Sequence, residues 1–222
     1  MKRFSVYFAP RSGGFATEAA AWLGWDVEAG QAVAQPDLPG IAEITAEPRK
    51  YGFHGTLRAP FRLGPGVDLG AVQACVAALA SRLAPARCAG LQLVNLDGFL
   101  ALIPCGDMSD INGLAAEVVV MTNGLRADLT EAEVARRRPE TLTARQKELL
   151  GIYGYPYVLD AFQFHLTLTG RLPEDDARAV AAMLVPHFAQ VLPEPFVIED
   201  LCLFGEDAAG CFHLLNRYAL TG

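Results

Sequence analysis

The stretch Phe53-His54-Gly55-Thr56-Leu57-Arg58 returns about 110 residues later as Phe164-His165-Leu166-Thr167-Leu168-Thr169, and these two stretches decide how the chain is read. Each alternates in the manner of a half-buried strand. In a strand the side chains at i and i+2 share a face. Each copy therefore presents an imidazole and a hydroxyl together and turns Leu57 or Leu168 to the opposite side. The other two of the four histidines, His187 and His213, begin no such pattern.

The flanks repeat as well. After the first copy come an Ala-rich helical stretch (69–83) and a strand pair (91–94 and 99–103) around Asn95-Leu96-Asp97-Gly98. After the second come a helix (175–188) opened by Pro173-Glu174-Asp175-Asp176 and two strands (196–204 and 211–218). The order strand, helix, strand, strand thus occurs twice, which indicates an internal duplication rather than a solenoid. Ahead of it lie a strand at 3–8, a helix at 15–23 and a loop with Pro36, Pro39, Gly40 and Pro48. Between the copies lie a helical segment (111–121), the run Arg136-Arg137-Arg138 after a helix bearing Glu131 and Glu133, and Gly154-Tyr155-Pro156-Tyr157. This reads as one α+β domain of two lobes: a first motif lobe over about 50–105, a connector over about 106–160 and a second motif lobe over about 161–222.

Composition narrows the function classes. A chain of 222 residues with 52% hydrophobic and 19% charged side chains buries a sizeable core and is not disordered. A formal charge of −7 argues against coating a long nucleic acid, so a phosphate contact has to be local. Five cysteines (75, 88, 105, 202 and 211) form no C-x-x-C pair, and the odd count suits free thiols in a reducing cytoplasm. No apolar run approaches the roughly 20 residues of a membrane span. Ser5, Tyr7 and Pro10 interrupt the N-terminal apolar stretch, so no signal peptide is expected. Gly13-Gly14 reads as a turn, without the spacing of a phosphate-binding loop.

A doubled His-x-Thr has a direct chemical use. Phosphodiester cleavage needs one group to take a proton from the nucleophile and another to give one to the leaving oxygen. Imidazole suits both tasks because its unperturbed pKa lies near working pH. Two hydroxyls can donate to the non-bridging oxygens as charge develops there. No metal or other cofactor is called for, and the histidines and cysteines lack metal-ligand spacing.

The longer stretches around these motifs, Ala46 to Phe61, Gly154 to Val158 and Phe164 to Leu172, resemble the two-histidine phosphoesterase superfamily. They are similar in particular to a bacterial branch associated with phosphonate-utilisation operons. The resemblance runs from the Tyr7-Phe8-Ala9-Pro10 strand to the last strand. It implies two antiparallel sheets flanked by helices around a central cleft, with His54, Thr56, His165 and Thr167 as the catalytic quartet. The chain departs from that branch at Asn123-Gly124-Leu125-Arg126-Ala127-Asp128, where an Asp-x-Phe-Arg-Ala-Pro-like segment is expected.

Strand alternation also puts Arg58 on the face of His54, where a guanidinium could bind substrate phosphate. Tyr51 and the cluster Tyr153, Tyr155, Pro156 and Tyr157, with Tyr157 singled out, are candidates for stacking on a sugar or base, with core or lobe-interface packing as the default role. His187 near a helix end and His213 in a strand read as structural. The expected function is a cytoplasmic, metal-independent phosphoesterase opening a small, cyclic phosphodiester. The alternatives are a non-catalytic binder of a phosphorylated metabolite and an RNA-end enzyme for 2′,3′-cyclic or 2′-5′ linkages.

Overall fold

Aromatic and β-branched residues open the chain as strand β1 (Phe4–Phe8), and helix α1 (Gly14–Leu23) ends at Gly24, a left-handed cap with φ 78°. This computed structural model describes residues 1–222. A short ladder of β2 (Trp25–Asp26) and β3 (Gln31–Ala32) follows. The Pro-rich loop then folds into two single-turn helices, α2 (Ile41–Ile44) and α3 (Ala46–Arg49). The first motif enters β4 (Gly55–Phe61), followed by α4 (Leu69–Ala80), β5 (Ala86–Cys88), β6 (Gly90–Leu96) and β7 (Phe99–Cys105). The β6–β7 hairpin closes through Asp97 (φ 50°) and Gly98 (φ 97°), the left-handed pair that a two-residue turn requires.

The connector is α5 (Ser109–Thr122), α6 (Glu131–Arg136) and α7 (Ala144–Tyr153). Thr130 with Glu133, and Thr143 with Gln146, form capping boxes that start the last two. The second motif enters β8 (Leu166–Arg171), then α8 (Glu174–Phe188), β9 (Phe196–Ile198), β10 (Asp200–Glu206) and β11 (Phe212–Ala219). β5 and β9 pair as a separate two-stranded ladder. No helix is long and apolar enough to cross a membrane.

The fold is α+β. Seven strands lie in the order β11-β10-β1-β4-β8-β7-β6, all neighbours antiparallel. The two expected sheets are the four strands on one side and the three on the other, joined at a single pair, Gly55 with Leu166. The lobes are interleaved rather than contiguous in sequence. β4 lies on the side of the β10–β11 hairpin, and β8 beside the β6–β7 hairpin. The helices follow: α4 packs on β10 and β11, and α8 on β6 and β7. Each lobe therefore joins the motif strand and helix of one half-chain to the hairpin of the other.

One face of the sheet buries a single cluster of 35 residues under the helices, including Trp22, Leu57, Leu166, Leu168 and Leu203. Trp22 reaches that layer with its polar edge satisfied, donating from Nε1 to the Leu168 carbonyl at 2.9 Å. The opposite face carries a smaller aromatic cluster of Tyr7, Phe204 and Phe212, and this is the face the motifs share.

Candidate active site

The pairing of Gly55 with Leu166 sets the geometry of the site. In an antiparallel ladder, one step in either direction brings His54 opposite Thr167 and Thr56 opposite His165. Directly opposed residues project to the same face, with Cβ atoms about 4.5–5.5 Å apart. The two His-x-Thr motifs thus form one two-by-two array about a pseudo-twofold axis that passes between Gly55 and Leu166, normal to the sheet. Gly55 is required there: a Cβ on it would overlap the ring of Phe164.

The two imidazoles are oriented by the same local device. His54 Nδ1 lies 2.9 Å from the carbonyl oxygen of Gly52, and His165 Nδ1 lies 2.9 Å from that of Gln163. A carbonyl only accepts, so in each neutral ring Nδ1 carries the proton and Nε2 keeps its lone pair. Gly52 can turn its carbonyl this way because its φ is 67°, a conformation that strains other residues. Thr56 Oγ1 donates to His54 Nε2 at 3.2 Å. The ring of Tyr7 stacks on His54 with centroids 3.9 Å apart, and Phe99 lies 5.7 Å from His165. Burial pushes the pKa of His54 down to about 4, and the charge of His165 acts in the same direction. His54 is therefore neutral at pH 7.

A cleft of about 480 Å³ opens over this array. His54, Thr56, Thr167 and Tyr51 line it. His165 is not among the lining residues; the register places it across from Thr56, which does line the cleft. Tyr51 packs flat on Phe212, with centroids 5.0 Å apart, and forms one wall.

Two sequence expectations are corrected. Arg58 does not share the face of His54. Tyr7 pairs with Thr56 but Val6 pairs with Arg58, so β4 carries a bulge there and the alternation breaks. Arg58 is 1% exposed and its Nη1 donates to the Tyr153 carbonyl at 3.0 Å. Arg126 donates beside it, from Nη2 to the Ile152 carbonyl at 2.8 Å and from Nε to Asn123 Oδ1 at 3.0 Å. No carboxylate meets Arg58; the negative end of α7 answers its charge. The segment that departs from the phosphonate-associated branch, residues 123–128, thus supplies a clamp between β4 and α7. Tyr157 is the second correction: it is 46% exposed and packs edge-on against Tyr155, which lines the cleft in its place.

His187 Nε2 lies 3.3 Å from a Glu18 carboxylate oxygen, and His213 Nε2 lies 2.8 Å from one of Asp207. Neither lines the cleft. Nowhere do three His, Cys, Asp or Glu side chains converge as metal ligands would. The motif-based reading missed Arg3, Tyr7, Phe99, Arg137 and Arg171, all of which line the cleft. Tyr7 could be found only by knowing that β1 lies next to β4.

Residues 56–213 match the family model described as a protein of unknown function, DUF1045. This chain belongs to the DUF1045 family. The matched span starts at Thr56 and contains His165 and Thr167. Among curated proteins, this DUF1045 chain is 36% identical to the ribose 1,5-bisphosphate phosphokinase PhnN of Janthinobacterium sp. (strain Marseille), over 95% of the chain and 49% of that protein. It is 37% identical to the protein of the same name from Laribacter hongkongensis (strain HLHK9), over 97% of the chain and 51% of that protein. The chain thus spans about half the length of the curated relatives it matches. Among solved structures, it aligns over 100% of its length, and 99% of the other chain, with a phosphoesterase at TM-score 0.47 and 16% identity. It also aligns with E. coli LigT complexed with ATP (TM-score 0.45, 15% identity, 100% and 98% of the two chains). TT0787 of Thermus thermophilus aligns at TM-score 0.47 and 19% identity, over 99% and 98%.

Proposed function

We propose that this protein is a metal-independent phosphoesterase that opens a small cyclic phosphodiester by paired histidine catalysis. The observation that carries the reading is the two-by-two array of His54, Thr56, His165 and Thr167 on one face across the Gly55–Leu166 pair. His54, neutral and with its Nε2 lone pair available, takes a proton from water. The water oxygen bonds to phosphorus as the ester bond to the leaving oxygen breaks. His165, protonated on Nε2, returns a proton to that oxygen, and a ring-opened phosphomonoester results. Thr167 donates to one non-bridging oxygen, where negative charge grows. Thr56, whose hydroxyl donates to His54 Nε2 without substrate, turns to donate to the other as Nε2 takes the water proton.

The substrate class is a phosphorylated sugar. The curated relatives are named for a kinase of ribose 1,5-bisphosphate, and they are about twice as long as this chain. This chain has no phosphate-loop spacing, so we assign the kinase activity to the part of those proteins outside the match. From the name we take only the kind of molecule handled. The resemblance to a branch associated with phosphonate-utilisation operons points to the same chemistry, and the site is proposed to work there in phosphonate breakdown. The test is a panel of nucleoside 2′,3′-cyclic and ribose cyclic phosphates offered to EDTA-treated protein, with products followed by phosphorus NMR. Ring opening of a ribose cyclic phosphate in EDTA is expected. Turnover that returns only with added metal would overturn the mechanism, and no ring opening of any member would overturn the function.

A further inference from the structure

Four charged side chains line the cleft beyond the motifs: Arg3, Glu47, Arg137 and Arg171. Two are already neutralised. Arg3 makes a bidentate pair with Glu206 at 2.6 and 2.7 Å, and Glu47 accepts from Lys50 at 2.7 Å. Arg137 and Arg171 have no carboxylate partner. The Arg137 guanidinium is held over the ring of Tyr155, 4.8 Å from its centroid. Arg171 donates from Nη1 to the Asp97 carbonyl at 2.6 Å, which fixes its head without cancelling its charge. A chain of net charge −7 thus keeps two uncompensated guanidiniums in its one motif-bearing cleft.

We propose that Arg137 and Arg171 form a second phosphate subsite, which holds a phosphomonoester on the same sugar whose cyclic diester lies on His54 and His165. The inference rests on the phosphoesterase reading and sharpens its substrate. Arg171 lies at the end of the strand that carries Thr167. The ladder is bulged between them, Phe99 to Ala101 of β7 facing Arg171 to Thr167 of β8, so Arg171 sits about two β7 residues, roughly 7 Å, beyond Thr167. Arg137 and Arg171 line the same cleft as His54, Thr56 and Thr167, so a second phosphate on the same small sugar has both guanidiniums to meet. Guanidinium forks suit phosphate oxygens, and a concave, low-dielectric wall strengthens their field. Arg136 and Arg138, neighbours in the same run, do not line the cleft and serve as controls.

The experiment compares kcat/KM for two ribose cyclic phosphates that differ only in a terminal phosphate. The wild type is expected to favour the phosphorylated one, and R137Q or R171Q each to cut that preference by about 10- to 100-fold, mainly through KM. R136Q is expected to keep the wild-type preference. Equal use of both sugars by the wild type would overturn the subsite, as would equal losses of preference in R136Q and R137Q. If neither sugar is turned over, the phosphoesterase reading fails, and calorimetry with ribose 5-phosphate decides the subsite separately. A Kd weakened about 10- to 100-fold in R137Q and R171Q but unchanged in R136Q supports it. Absence of binding, or the same Kd in all four proteins, overturns it.

Discussion

Gly55 lies so close against Phe164 that a β-carbon there would come within 2.2 Å of the phenyl ring's Cζ. The same glycine forms the pair with Leu166 that joins the two halves of the sheet. Gly55→Ala is therefore expected to destabilise the protein by about 1–3 kcal/mol, the usual cost of overpacking. It should also lower turnover, because the array of histidines and threonines is registered on that pair. Adding Phe164→Leu should recover part of both losses. Thermal melts and kinetics on the two variants check this, and an unperturbed single variant would refute the seam's role.

Arg58 offers a different kind of test. Its Nη1 holds the carbonyl of Tyr153 and its stem is buried under the connector. Arg58→Ala should cost about 2–4 kcal/mol, since it opens a cavity and leaves a buried acceptor without its donor. Urea unfolding measures that loss. A KM effect larger than the stability effect would restore the guanidinium to the substrate.

The paired motifs were legible because strand alternation is local: two residues of spacing suffice to place an imidazole and a hydroxyl together. The interleaving of the lobes was not, since nothing near β8 says that its neighbour is the hairpin at 90–105 rather than that at 200–219. Arg58 was misplaced for a related reason. The rule of two holds only in an unbroken ladder, and the bulge after Thr56 depends on a partner strand about 50 residues away. The tyrosines at 155 and 157 are equivalent by composition, and only the tertiary path of the loop selects Tyr155. Helix α7 escaped the periodicity reading because it buries only Leu149 and Leu150, although Thr143 and Gln146 already spelled its capping box.

Acid should weaken the fold through His54. Its pKa is lowered from 6.5 to about 4 by burial, so below pH 6.5 the unfolded chain binds a proton that the folded one refuses. Stability is then lost as pH falls from about 6.5 to 4, by up to about 3 kcal/mol from this group. His54→Gln cannot take that proton and should show a flatter dependence over the same window. The acid limb of kcat/KM in the wild type should fall near pH 4, where the base becomes protonated. Parallel melting curves of the two proteins between pH 4 and 6.5 would contradict the neutral, buried imidazole.

The last prediction separates the members of the array. His54→Ala and His165→Ala should each lower turnover by about 10²- to 10⁴-fold, the usual range for one positioned proton-transfer group. Thr56→Ala and Thr167→Ala should each cost about 10- to 10³-fold, toward the upper end where the hydroxyl meets developing charge rather than the ground state. Because the imidazoles act in one step, the double histidine variant should be far less impaired than the product of the two single effects. The pseudo-twofold arrangement adds a further expectation. Thr167 stands across from His54 and Thr56 across from His165, so each threonine variant should perturb the pH limb belonging to the histidine of the other motif as well as its own. His54 and Thr56 are already in contact at 3.2 Å, which makes Thr56→Ala the variant that shifts the acid limb most directly. Thermal melts control for folding. If either histidine tolerates alanine with near-normal turnover on an identified substrate, the paired mechanism is wrong and the cleft is a binding site for a phosphorylated metabolite.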